Sequence, residues 1–187
     1  MVGMQIRSLL IPILAGALST PVAAEVVDSA QSGFTLRQTV AISAAPMDVY
    51  AQLIRIGEWW SSSHTFSGDA KNLSIEERAG GCFCEKLPKG GGVRHMEVVN
   101  FVPGKKLVMH GTLGPLQSMA AVGSMSIDLA AEGIATKLTM TYAVAGYAAS
   151  GFGGLAGPVD GVLREQFASL KETVEKGSGG TTSRSGK

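Results

Sequence analysis

Residues 93–144 read VRHMEVVNFVPGKKLVMHGTLGPLQSMAAVGSMSIDLAAEGIATKLTMTYAV, and residues 158–176 read PVDGVLREQFASLKETVEK. In the first stretch apolar side chains return at every second position, the period of a half-buried strand. Pro103-Gly104 and Ala131-Glu132-Gly133 interrupt that period with turn chemistry, so the stretch folds into two hairpins, 93–113 and 119–144. In the second stretch Val159, Val162, Leu163, Phe167, Leu170 and Val174 share one helical stripe, and Pro158 suits a first helical turn. A strand meander closed by a long amphipathic helix is an α+β pattern.

Working outward, Phe34, Leu36, Val40 and Ile42 alternate with polar neighbours and predict a first strand, with Gln38 on its apolar face. Pro46 opens a helix that Gly57 ends, and Glu58-Trp59-Trp60 with the SSSH stretch predicts a turn or a second short helix. Residues 73–78 and 82–87 predict two further strands. The five glycines between Gly146 and Gly157 predict a mobile loop.

The ends of the chain are of different character. Residues 1–24 have the three parts of an export signal in order: Arg7, the apolar run Leu9–Leu18, and the small residues Val22-Ala23-Ala24. That run is about half the length a membrane-spanning helix needs. Cleavage after Ala24 is expected, with a periplasmic or secreted location and no stable membrane insertion afterwards. Residues 25–32 read as a loose leader, 33–176 as one domain, and 177–187 (GSGGTTSRSGK) as a disordered tail. The chain carries 16 Lys+Arg and 15 Asp+Glu, and loss of Arg7 leaves 15 of each. Such a balance gives no electrostatic footprint for nucleic acid.

The element order, strand, two short helices, about six further strands and a long helix, resembles the SRPBCC (START-like, helix-grip) superfamily. The resemblance is nearest to its group similar to the activator of the heat-shock-protein ATPase, with the polyketide cyclase-like members beside it. Trp59-Trp60, the strand start Gly80-Gly81-Cys82-Phe83-Cys84-Glu85, the run Val98–Pro103 into Leu107-Val108 and the last helix carry it. It implies a curved antiparallel sheet of about seven strands around the C-terminal helix, with a ligand cavity between them.

That cavity suits a hydrophobic small molecule or lipid and needs no cofactor. Its expected lining is Trp59, Trp60, Arg94, Met96, Met109, Met125, Met140, Tyr142 and Phe167. Methionines adapt to irregular apolar ligands, but they also fill ordinary cores, and both readings stay open. Arg94 shares the parity of Met96 and would clamp an anionic head group or snorkel outward. Glu97 and His110 fall opposite each other on the polar face, where a surface ion pair is favoured over a general base. His64 belongs to a loop at the expected mouth. Cys82 and Cys84 read as two small side chains on one strand face, in preference to a disulfide that would need a kink. With three scattered histidines they match no zinc pattern.

The chain has no G-x-S-x-G elbow, H-E-x-x-H, Walker loop or dinucleotide fingerprint. The expected function is an exported binder of a hydrophobic molecule. A cofactor-free cyclase or dehydrase, with Tyr142, His64 and Arg94 as candidates, is the first alternative, and a cochaperone-like interaction protein the second.

Overall fold

The structure, a computed structural model, describes residues 23–179. Eight antiparallel strands form one sheet: β1 (Ala23–Ala30), β2 (Gly33–Ile42), β3 (Leu73–Ile75), β4 (Gly81–Lys86), β5 (Gly92–Val102), β6 (Lys106–Gly111), β7 (Ala120–Glu132) and β8 (Ala135–Tyr147). Their order in the sheet is β1-β2-β8-β7-β6-β5-β4-β3. A short helix α1 (Pro46–Ile54) follows β2, and the long helix α2 (Ala156–Gly179) lies across the inner face. This is the expected α+β, helix-grip arrangement.

Three boundaries differ from the sequence reading. Residues 25–32 are not a loose leader: Ala23–Ala30 pairs with β2 as an edge strand, giving eight strands instead of about seven. Of the two alternatives for the Trp59-Trp60 region, the turn is found in place of the second short helix: short 3-10 segments at 56–58 and 62–64, because Gly57 and the serines favour turns over helix. The last helix continues to Gly179, into the stretch read as a tail. The stretches read as an export signal, up to residue 22, and as a tail, from residue 180, lie outside the described residues.

The core lies between the sheet and α2. Leu163, Phe167, Leu170 and Val174, spaced 4, 3 and 4 apart, are buried against Leu36, Val40, Leu138 and Met140. Each such side chain contributes roughly 1.5–3 kcal/mol by leaving water. Polar ties fix the helix in place. The Gln38 amide donates to both the Asp160 backbone and side-chain oxygens at 2.9 Å, which accounts for a glutamine on an apolar strand face. Lys171 reaches the Ala41 carbonyl at 2.7 Å, and the Ser169 hydroxyl reaches the Trp59 carbonyl at 2.6 Å.

Two irregularities shape the site. In β5 the register with β4 slips between Met96 and Arg94, so His95 is the extra residue of a bulge. Gly111, at φ 147°, sits beside that bulge, and a Cβ there would collide with the His95 carbonyl oxygen.

Candidate functional site

A partly open cavity of about 650 Å³ lies beside the start of α2, against β4 and β5. Trp60, Phe66 and Phe83 line it from the 60–66 loop and β4, Leu113, Leu116 and Met119 from the turn after β6, and Val159, Val162 and Leu163 from α2. Its polar contributions come from Ser63, His64, Thr65 and His95. A second, more open concavity of about 1160 Å³ lies on the outer sheet face and includes Arg94, Glu97, His110 and Ser124. The smaller one is the less open of the two and has the apolar walls that burying an apolar ligand requires.

The bulge decides which β5 side chains enter. An extra residue inverts the alternation locally. His95, assigned by simple parity to the outer face, is 6% exposed and lines the cavity, while Arg94, expected inside with Met96, turns outward. There Arg94 pairs with Glu97 at 3.1 Å. Glu97 and His110 are cross-strand partners in the expected register, but the Glu97 carboxylate goes to Arg94.

His95 is held on all sides. Its Nε2 lies 3.0 Å from Glu85 Oε2, its Nδ1 lies 3.3 Å from the Gln117 amide nitrogen, and its ring is flanked by Phe83 at 4.9 Å and Phe66 at 6.0 Å. Glu85, whose side chain is fully buried, also accepts from the backbone N–H groups of Phe66 (3.1 Å) and Ser67. Burial works to raise the Glu85 carboxyl, but the Ser67, Phe66 and His95 donors outweigh it and hold it below the ordinary carboxylate range. Burial pulls the His95 imidazole below its ordinary range, against the opposing pull of Glu85. At neutral pH the pair is therefore a carboxylate beside a neutral imidazole, with Nε2–H donating to Glu85 and Nδ1 accepting from Gln117.

This assignment gives a pH dependence with a definite sign. Unfolded His95 takes a proton near pH 6.5 while the folded residue resists it, so the unfolded state binds more protons as pH falls. Stability is then lost from about pH 6.5 down to the lower folded value. Glu85 adds a further loss as pH falls below about 4.5 and through its own folded value. Resistance to urea unfolding is expected to fall steadily from pH 7 to about pH 5. His95→Gln, which still donates to Glu85, should flatten that slope; an unchanged slope in this variant would contradict the assignment.

Among the other residues expected to line a ligand cavity, Trp60 does so, with its indole N–H on the His64 carbonyl at 3.0 Å. His64 also borders the cavity, 3.3 Å from Glu165. Trp59 is buried in the core, against Phe167 at 6.1 Å. With Phe167, Met109 and Met125 it surrounds a separate void of about 10 Å³. Met96 and Met140 are core residues. Tyr142 is fully buried; its hydroxyl accepts from the Leu113 N–H at 3.3 Å, and burial pushes the phenol well above its ordinary range.

Cys82 and Cys84 are joined in a disulfide, not merely packed side by side. Their Cα atoms are 5.3 Å apart, closer than the roughly 6.6 Å of two extended residues. β4 is thus shortened beside the place where β5 carries its extra residue. The sequence reading missed His95, Glu85, Phe66 and Gln117. The available signal was Gly80-Gly81 beside a Cys-x-Cys pair, which marks strand irregularity without saying which partner residue it inverts.

Fold and cavity together define a helix-grip protein: a curved sheet, a long helix across it, and an apolar space between. No protein-family model matches this chain, and no curated protein matches its sequence. Solved structures do match. A protein from Rhizobium leguminosarum aligns with TM-score 0.59 and 16% identity, over 84% of this chain and 99% of that one. An Aha1 dimer from Colwellia psychrerythraea aligns with TM-score 0.55 and 18% identity, over 76% and 97%. CalU16 from Micromonospora echinospora aligns with TM-score 0.55 and 13% identity, over 83% and 84%. At these identities the likeness is one of fold.

Proposed function

We propose that this domain is an exported binder of an apolar small molecule, held in the cavity beneath the start of α2. The observation that carries the reading is the cavity itself: about 650 Å³, open at one side, and walled by aromatic and aliphatic side chains. That volume falls within the range of small-molecule sites, and an apolar ligand gains by leaving water for such walls. Export is supported by the signal pattern of residues 1–24 and by the Cys82–Cys84 disulfide, a bond that persists in oxidising compartments.

The test uses N-phenyl-1-naphthylamine, which fluoresces when it enters an apolar site. The wild-type protein is expected to enhance its emission saturably. Val159→Trp places an indole in the cavity from a half-buried helix position and should weaken the probe's affinity by about tenfold or more. The unfolding midpoint should stay the same or rise. No enhancement by wild type, or equal binding by the variant, would overturn the reading.

One observation favours a second reading, a cofactor-free acid–base enzyme. The buried Glu85–His95 pair has the carboxylate–imidazole arrangement of a general base, at the wall of an apolar cavity. On this reading His95, in place of Tyr142 or Arg94, carries the proton transfer once Gln117 gives up Nδ1. His95→Gln would abolish turnover while leaving probe binding intact. The Aha1 neighbour fits a third, interaction-protein reading only at the level of fold.

A further inference from the structure

The walls of the cavity carry neither Lys, Arg, Asp nor Glu among the described residues. The two histidines in its wall each touch a charge one layer back, and both of those charges are negative. Glu85 is fully buried behind His95, and Glu165 is paired with His64. The one arginine of β5 that strand parity would send inside is turned away by the bulge and is engaged by Glu97 on the outer face. Arg164, on α2, is held by Asp160 at 2.5 Å. The start of α2 offers little positive potential in compensation, because Pro158 has no N–H and the buried Asp160 carboxylate lies within its first two turns.

An anionic head group entering this space would lose its hydration and meet no counter-charge. A proton taken up by His95 would already be matched by Glu85. An uncharged molecule faces no such penalty. The walls also indicate shape: the Phe66–His95–Phe83 stack, with Trp60 edge-on to Phe83 at 6.0 Å, presents several π-systems together. Such surfaces favour a flat conjugated ring over a bare alkyl chain. Resting on the binding reading above, we infer that the cavity selects uncharged, ring-bearing apolar molecules and rejects carboxylate- or phosphate-headed lipids.

The test compares 1-pyrenebutanol with 1-pyrenebutyrate at pH 7.5, two probes sharing one ring system and differing in charge. Titration followed by tryptophan quenching is expected to show the alcohol binding about tenfold tighter or more. Because the alcohol is also the less water-soluble of the two, Val162→Lys supplies the control. This half-buried position lines the cavity, and a cation there should shift the ratio toward the acid by about tenfold. Equal or tighter binding of pyrenebutyrate by wild type overturns the inference and leaves the binding reading standing. A ratio unchanged in Val162→Lys overturns the charge argument. If neither probe binds, the binding reading itself fails.

Discussion

Replacing Glu85 by alanine is expected to lower the unfolding free energy by about 3 kcal/mol, because one buried and two part-buried donors lose their acceptor and a buried unsatisfied donor costs about 1–3 kcal/mol. The carboxylate is the shared acceptor of three donors: His95 Nε2 and the backbone N–H groups of Phe66 and Ser67. Alanine leaves the buried His95 donor unpaired, and the two part-buried backbone N–H groups recover only part of their bonding from solvent. Glu85→Gln keeps the volume and one acceptor oxygen and should recover a substantial part of the stability. Urea unfolding of both variants at pH 7.5 is the measurement. A loss below about 1 kcal/mol for Glu85→Ala would show that the network contributes no more than an ordinary surface hydrogen bond. The local consequence matters as much, since Phe66 and Ser67 belong to the loop that forms the cavity mouth. Amide exchange in residues 61–69 should accelerate in Glu85→Ala more than elsewhere.

Phe83→Ala is expected to cost about 3 kcal/mol, the lower part of the range for buried phenylalanine truncations. The ring is 2% exposed, but one side already borders the cavity, so fewer packing contacts are lost than in a fully enclosed core. Phe83 also borders the small void beside Trp59 and Phe167. Its truncation therefore joins the two spaces, and a small aromatic such as indole should raise the thermal midpoint of the variant more than that of wild type. Equal shifts would mean that the spaces stay separate.

The parts of the fold that bury side chains on a regular period were legible from residues alone. The hairpins around Pro103-Gly104 and Ala131–Gly133 and the α2 stripe are examples. β1 was not, for a physical reason. It is an edge strand whose described side chains, Val26 and Val27 among them, are exposed, so backbone pairing alone defines it and leaves no alternation to read. The site was legible only in part. Trp60 and His64 border the cavity, because loop position survives small errors of register. Arg94 and His95 exchanged faces because one inserted residue reverses every parity argument locally, and no residue type announces a bulge unambiguously. The methionines expected around a ligand serve mainly as core: Met96, Met109, Met125 and Met140 are buried in one cluster with the α2 stripe, while the cavity lies beside the start of that helix.

The two adjacent indoles have an optical consequence. Trp60 borders the cavity and keeps its N–H on a loop carbonyl, whereas Trp59 is sealed in the core with its N–H on Leu53. The chain thus carries, side by side, one emitter that a ligand can touch and one that it cannot. Their ring centroids are 5.6 Å apart, close enough for excitation to pass between them. Whatever occupies the cavity is therefore sensed by both emitters, the second by transfer from the first, and occupancy becomes readable from intrinsic fluorescence without a label.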